Sequence, residues 1–186
     1  MAAAVQITLA VWAAFELVLR VVETVRGQGR TTGDRGTRTL IALALAAALA
    51  GGASLENRVG SAPWHLPPVA MPVGVAVMVL GLGLRAWAVL TLGRAFRTTV
   101  ETSPDQTVVE RGPYRVVRHP SYSGLLLIVL GFEVSTRVWP AIVLTLLPLV
   151  AVVRRIDVEE RHLVTALGPA YAAYRERTRR LVPGVW

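Results

Sequence analysis

The sequence contains no cysteine, and it contains no lysine, since all 20 of its basic residues are arginine. The absence of cysteine excludes disulfide bonds, thiolate metal ligands and a cysteine nucleophile. Aromatic residues make up only 6% of the chain and charged residues 17%, whereas hydrophobic residues make up 53%. With a mean hydropathy of +0.50, the 186 residues are too apolar for an ordinary soluble domain. The composition therefore predicts a single integral membrane domain over residues 1–186.

The excess of arginine gives a formal net charge of +8 at pH 7, which is compatible with a nucleic acid partner or with a membrane surface. The arginines cluster between apolar segments, where they anchor a protein at the bilayer surface. We therefore expect membrane lipids, and no nucleic acid, among the partners. The sequence predicts no metal site, and it leaves the oligomeric state open.

Five apolar segments predict an all-α bundle of about five transmembrane helices. A helix that crosses the hydrocarbon core needs roughly 20 apolar residues. The predicted spans cover residues 2–22, 39–54, 69–92, 121–135 and 138–153. The last two spans are short and close together, so we expect a tight helical hairpin with Glu133 and Arg137 near its tip. Pro148 is expected to kink the second arm of this hairpin.

Two ionisable residues lie inside the apolar segments, and the sequence leaves both roles open. Glu16 either reaches toward the interface or faces a polar cavity in the bundle. Arg85 likewise either reaches the interface or points into a polar pocket. Between the spans, residues 23–39 predict a flexible linker, and residues 98–110 predict a short β-hairpin over the membrane face.

The distribution of arginine predicts how the bundle is oriented. Five arginines lie in or next to the first connection and five lie between the third and fourth spans, whereas the second connection and the hairpin tip have one each. Because connections rich in arginine stay in the cytoplasm, we expect the N-terminus outside and the C-terminus and the active site in the cytoplasm. The membrane is expected to be an inner or plasma membrane.

Polar residues gather in one short stretch, residues 112–124, directly before an apolar segment. Two prolines, Pro113 and Pro120, stiffen the backbone between the arginines, the histidine and the tyrosines. The stretch ends in Arg118-His119-Pro120-Ser121-Tyr122-Ser123-Gly124. These seven residues resemble the Arg-His-Pro-x-Tyr-x-Gly motif of the isoprenylcysteine carboxyl methyltransferase family and its phospholipid methyltransferase relatives.

A second informative stretch follows the last predicted span. Residues 154–180 predict amphipathic C-terminal helices, with a break at Gly168-Pro169. A solvated surface helix with many salt bridges has this pattern too. In the family, however, an arginine, a Glu-Glu pair, a turn containing glycine, two tyrosines and a proline also follow the last membrane helix. The resemblance therefore covers residues 92–183.

The resemblance implies a methyltransferase that uses S-adenosylmethionine and closes a cytoplasmic site under its C-terminal helices. It implies that Arg118 and Arg155 hold the acceptor carboxylate, and that Glu160 acts with them as a catalytic residue. The residues that it implies for cofactor binding are Tyr114, His119, Pro120, Tyr122, Gly124, Glu159 and Glu160. Two of these have other possible roles, because His119 is able to cap the fourth helix and Tyr122 is able to anchor it at the interface.

The chemistry of the acceptor separates the possible functions. A carboxylate is already ionised at neutral pH, so its methylation needs positioning and no general base. The resemblance implies such an acceptor, in a lipophilic, prenylcysteine-like compound or a prenylated protein. A phospholipid or other lipophilic amine is the main alternative, and it would have to lose a proton to Glu159 or His119. A non-catalytic membrane scaffold is a further alternative.

Overall fold

A computed structural model of the chain describes residues 2–25, 36–59, 63–93 and 108–186. The helices are α1 (Ala3–Val25), α2 (Thr37–Arg58), α3 (Ala70–Leu92), α4 (Pro120–Ser135), α5 (Trp139–Ile142) and α6 (Leu146–Arg177), with 3₁₀ turns at Gly112–Arg115 and Val143–Thr145. Within the described ranges there is no strand, and two isolated β-bridges are the closest approach to one. The predicted all-α fold is confirmed.

Helices α1, α2 and α3 are long and apolar enough to cross a membrane. They have 23, 22 and 23 residues and mean hydropathies of 1.8, 1.7 and 2.0. Helix α4 is apolar but has only 16 residues. The second arm of the hairpin consists of α5, a 3₁₀ turn and the beginning of α6. The bounds of the first four helices agree with the first four predicted segments to within about one turn, and the fifth segment begins where predicted.

The linker and the β-hairpin expected between the spans are largely outside the described residues. This applies to the linker arginines Arg26, Arg30 and Arg35 and to the hairpin residues before Val108. Residues 108–110 have no regular secondary structure.

The reversal between α4 and α5 is tight, as the sequence predicts. Arg137 has a φ of 61°, in the left-handed region that closes a sharp turn. Its guanidinium Nη2 donates to the carbonyl oxygen of Leu66 at 3.3 Å, which ties the turn to the connection between α2 and α3. Glu133 also lies near the tip, in the last turn of α4. Its side chain is fully buried, with its carboxyl group packed over Gly52 of α2, because α2 covers this side of α4.

Helix α6 corrects the predicted boundary between the membrane and the C-terminal region. We expected separate helices from residue 154, but α6 begins at Leu146 and passes through this boundary without a break. Pro148 lies in the first turn of α6, directly after the 3₁₀ turn at Val143–Thr145 that interrupts the α-helical arm. The predicted break at Gly168 is present, with φ 55° and ψ −134°.

Helices α3 and α4 pack together through facing glycines. Gly81 lies against Gly124, and Gly74 lies against Gly131. A Cβ atom at Gly81 would come within 2.7 Å of the carbonyl oxygen of Gly124, and one at Gly131 would come within 2.5 Å of that of Gly74. Only glycine allows the two backbones to approach this closely. The contact holds the beginning of α4, and the motif that precedes it, against α3.

Candidate functional site

The motif forms a loop that is closed by the end of the chain. Pro120 is the first residue of α4, and His119 precedes it as the N-cap residue without a side-chain capping hydrogen bond. The proposed capping role for the His119 side chain is therefore wrong. The backbone N–H groups of Arg118 and His119 donate instead to the carbonyl oxygens of Arg179 and Arg180, at 2.7 and 3.0 Å. The C-terminal segment thus satisfies backbone groups that the start of a helix leaves open.

Glu160 is the centre of the first cluster of side chains. Arg118 Nε donates to its Oε1 at 2.8 Å, and His119 Nε2 lies 3.3 Å from the same oxygen. Arg180 Nη2 lies 3.1 Å and Arg175 Nη2 3.6 Å from Oε2. Burial opposes ionisation of Glu160, but the hydrogen bonds and charges of His119 and Arg118 outweigh it and lower its pKa to about 2. Glu160 is therefore a carboxylate at neutral pH.

The second cluster joins α4 to α6 and to the start of α2. The Tyr122 hydroxyl donates to Glu159 Oε2 at 3.0 Å, and Arg155 Nε donates to that hydroxyl at 3.2 Å. Arg155 Nη1 donates to Thr37 Oγ1 at 3.0 Å, and its side chain is 1% exposed. The side chain of Glu159 is 28% exposed. The two neighbouring glutamates of α6 therefore have different partners, with Glu160 in the first cluster and Glu159 in the second.

An ion pair between the buried Arg85 and the half-buried Glu16 connects the motif to α1 and α3. Arg85 Nη2 donates to Glu16 Oε2 at 2.9 Å, and Trp12 Nε1 donates to Glu16 Oε1 at 3.0 Å. Arg85 Nη1 donates to the hydroxyl and carbonyl oxygens of Ser121 in the motif, at 2.7 and 3.1 Å. Of the two roles left open for Glu16 and Arg85, the polar interior position is the one that the structure shows.

Of the aromatic residues of the motif, Tyr114 and His119 are buried and Tyr122 is half-buried. The rings of His119 and Tyr122 are stacked, with their centroids 5.8 Å apart. The Tyr114 side chain is 6% exposed, and its carbonyl oxygen accepts a hydrogen bond from the Tyr174 hydroxyl at 2.7 Å. Burial, with a further contribution from Glu159, raises the pKa of the Tyr114 phenol. Tyr114 therefore remains neutral.

The structure brings the predicted side chains together in these two adjacent clusters, one around Glu160 and one around Glu159. Two of the residues predicted for the cofactor also serve the packing of α4. Pro120 begins the helix, and a Cβ atom at Gly124 would lie 2.6 Å from the carbonyl oxygen of Gly81, so the contact with α3 requires the glycine. Sequence reasoning missed Thr37 and Arg180, because no local pattern connects them with the motif. In the part of the chain that the structure describes, no three His, Cys, Asp or Glu side chains are grouped for a metal ion.

The sequence model of the isoprenylcysteine carboxyl methyltransferase family matches residues 74–165 of the chain. Over this region the chain is similar to the family. The matched region begins in α3 and contains the motif, Arg155 and both glutamates of the two clusters. The isoprenylcysteine carboxyl methyltransferase resemblance that the motif indicates is thus confirmed.

Relatives of known name support the same family. The chain is 32% identical over 119 residues to protein-S-isoprenylcysteine O-methyltransferase B of Arabidopsis thaliana, covering 60% of this chain and 58% of that protein. It is 32% identical over 114 residues to protein-S-isoprenylcysteine O-methyltransferase of Schizosaccharomyces pombe, covering 57% and 46%. The chain therefore spans about half the length of these relatives.

A solved structure shares the fold. It is the eukaryotic intramembrane Ras methyltransferase ICMT (isoprenylcysteine carboxyl methyltransferase), with a TM-score of 0.61 and 25% sequence identity. The likeness covers 85% of this chain and 55% of that one. Together with the three apolar helices, it shows that the chain is an integral membrane protein.

Proposed function

We propose that the chain is a methyltransferase that uses S-adenosylmethionine to methylate the carboxylate of a lipophilic, prenylcysteine-like acceptor. The observation that carries this proposal is the meeting of His119 and Tyr122 of the motif with Glu160 and Glu159 of α6 at one end of a membrane bundle. The names of the relatives, which are S-isoprenylcysteine O-methyltransferases, support the reaction class.

The residues of the two clusters suit this cofactor. S-adenosylmethionine carries a cationic sulfonium and an amino group, and when bound it supplies an activated methyl group to an acceptor oxygen. Glu159 is an acidic side chain that remains partly exposed, so it can contact a cationic ligand group. Tyr114, His119 and Tyr122 supply aromatic surface next to it. Glu160 is enclosed by arginines, and we assign it the role of holding Arg118 and His119 in place.

Arg155 is the arginine that we assign to the acceptor carboxylate. Its guanidinium donates to the hydroxyl groups of Tyr122 and Thr37 and lies 3.8 Å from Glu159 Oε2, and its planar fork matches the two oxygens of a carboxylate ligand. Arg118 is less suited, because it donates to Glu160 and to the carbonyl oxygens of Arg175 and Thr178. The ionised acceptor attacks without losing a proton, so positioning is the main contribution of these residues.

The arginine distribution supports a location for this reaction. Arginine-rich connections and an arginine-rich C-terminus flank the site, whereas the opposite ends of the helices carry few arginines. We assign the site and the C-terminus to the cytoplasm and the N-terminus to the outside, in an inner or plasma membrane. The apolar part of the acceptor then remains in the bilayer while its carboxylate reaches Arg155.

The proposal is tested with purified protein in detergent and methyl-tritiated S-adenosylmethionine. The acceptors are N-acetyl-S-farnesylcysteine and, in separate micelles, phosphatidylethanolamine. We expect label in the prenylcysteine at a rate that is flat from about pH 6 to 8, because the carboxylate is ionised throughout this range. Label in the phospholipid, at a rate that rises with pH, would indicate an N-methyltransferase instead. No labelling and no cofactor binding by calorimetry would indicate a scaffold.

Replacement of Arg155 tests the assignment of the acceptor site. Arg155→Lys keeps the charge but loses the planar fork, so kcat/KM for the prenylcysteine should fall roughly tenfold to a hundredfold while cofactor affinity is retained. The matched control is Arg154→Lys, since Arg154 is the adjacent arginine on the same helix and is exposed. Equal turnover by the two variants would exclude Arg155 from the acceptor site.

A further inference from the structure

Two tyrosines on one face of α6 provide a comparison within the structure. Tyr171 and Tyr174 follow the kink at Gly168 and lie one turn apart, with ring centroids separated by 5.9 Å. Both side chains are buried, at 4% and 3% exposure. The two residues therefore have the same side chain, lie on the same helix and are almost equally buried.

Their hydroxyl groups differ in hydrogen bonding. The Tyr174 hydroxyl donates to the carbonyl oxygen of Tyr114 at 2.7 Å. The Tyr171 hydroxyl is buried and has no hydrogen-bond partner among the described residues. Buried hydroxyl groups are nearly always paired, because an unpaired one loses its hydrogen bonds to water without replacement. The unpaired hydroxyl thus points to a molecule that binds beside it.

The charges around Tyr171 identify the site to which its hydroxyl belongs. Burial raises the pKa of Tyr171, and the carboxylates of Glu160 and Glu159 raise it further, while Arg118 acts in the opposite direction. The Tyr171 ring also lies against that of Tyr174, whose hydroxyl bonds to Tyr114 of the motif, so Tyr171 is beside the candidate site. The Tyr171 hydroxyl stays protonated, so it can both donate and accept a hydrogen bond.

We infer that Tyr171 is a further binding residue of this site, whose hydroxyl hydrogen-bonds to the nucleoside part of the bound adenosyl cofactor. This inference rests on the proposed function. A neutral hydroxyl suits the ribose hydroxyls and the adenine nitrogens, which are uncharged donors and acceptors. Methyl transfer does not alter these groups, so Tyr171 should contribute equally to the binding of S-adenosylmethionine and S-adenosylhomocysteine. Tyr171 lies beyond the matched residues 74–165; it is one of the two tyrosines of the C-terminal pattern, for which the resemblance implied no role.

The test compares Tyr171→Phe with Tyr174→Phe in the intact chain in detergent. Calorimetry measures the affinity for each of the two adenosyl compounds, and thermal unfolding without ligand measures stability. For Tyr171→Phe we expect about fivefold to tenfold weaker binding of both compounds and no loss of stability, since no protein hydrogen bond is removed. For Tyr174→Phe we expect a lower melting temperature, because the bond to Tyr114 is lost, and an affinity within about twofold of the original.

Three results would overturn the inference. Unchanged affinity of Tyr171→Phe would remove the hydroxyl from the binding site. A lower melting temperature of Tyr171→Phe without ligand, like that of Tyr174→Phe, would make Tyr171 a structural residue. Failure of the unmodified protein to bind either adenosyl compound would overturn the proposed function, and the inference with it, so the two failures are distinguishable.

Discussion

Two glycines of α3 allow the same substitution to be made in opposite surroundings. Gly81 is buried against α4, and a Cβ atom there would meet the carbonyl oxygen of Gly124 at 2.7 Å, the backbone nitrogen of Ile128 at 2.8 Å and Leu127 Cβ at 2.9 Å. Gly83 is exposed, and a Cβ atom there would meet nothing within 4 Å. Neither glycine has a positive φ, so both positions accept alanine in their backbone conformation.

The packing determines the expected size of the effect. Forcing extra volume into a close contact costs about 1 to 3 kcal/mol, and the neighbours of Gly81 include backbone atoms that cannot rotate away. The gain in helix propensity on replacing glycine by alanine is about 1 kcal/mol and applies to both positions. Gly83→Ala should therefore be neutral or stabilising, and Gly81→Ala should be less stable than Gly83→Ala by about 1 to 3 kcal/mol.

Thermal unfolding of the two variants in the same detergent measures this difference. Because about 1 kcal/mol corresponds to roughly 2 to 4 °C for a chain of this size, Gly81→Ala should melt several degrees below Gly83→Ala. Gly81→Ala should also weaken cofactor binding, since a displaced α4 carries the motif away from α6. Equal melting temperatures for the two variants would refute the close contact between α3 and α4.

Three further predictions follow from the charged groups. The pKa of Glu160 is lowered to about 2 in the folded protein, from 4.5. The ionised carboxylate therefore stabilises the fold by about 3 kcal/mol above about pH 4.5, and this contribution is lost as the pH falls toward 2. Glu160→Gln should therefore be less stable at pH 7 and should melt with a weaker dependence on pH between about 5 and 2.5; a pH dependence equal to that of the original protein would contradict this. Arg85→Met should destabilise the fold by about 1 to 3 kcal/mol because the half-buried Glu16 carboxylate loses its ion-pair partner, and adding Glu16→Gln should recover part of this loss in a double-mutant cycle; strictly additive effects would count against the pair. Reporter tags at Met1 and Trp186 should lie on opposite sides of the membrane, with Trp186 in the cytoplasm; tags on one side would exclude the proposed orientation.

The secondary structure was predictable because it depends on local properties of the chain. Apolar runs of about 20 residues form membrane helices wherever they occur, since the bilayer leaves no other partner for their backbone groups. The break in α6 was predictable for the same kind of reason, because the Gly168-Pro169 pair disfavours continuous helix by itself. The fifth apolar segment ends at residue 153, but the helix does not end there, because the polarity of the side chains changes while the helical backbone continues.

The motif was also recognisable from the sequence, but the partners of its side chains were not. Glu159 and Glu160 are adjacent, and successive helical residues point in directions about 100° apart, so the two carboxylates had to face different surroundings. Only the packing of α6 against the motif loop decided that Tyr122 meets Glu159 and that Arg118 meets Glu160. A helix has a fixed period, whereas its rotation about its own axis depends on its neighbours.

The ion pair between α1 and α3 shows the same limit most clearly. The sequence shows an acid in α1 and an arginine in α3 within apolar segments, but it leaves open whether each reaches the interface or faces the interior of the bundle. Their pairing depends on the distance between two helices and on the depth of each residue in the bundle. The facing glycines set that distance for α3 and α4, and through it the contact of Arg85 with Ser121. Composition and periodicity thus determined which segments are helices and which residues are costly to bury. Tertiary packing alone decided how these residues pair, because a pair interaction depends on the positions of two side chains in space, whereas the sequence specifies only the order of the residues.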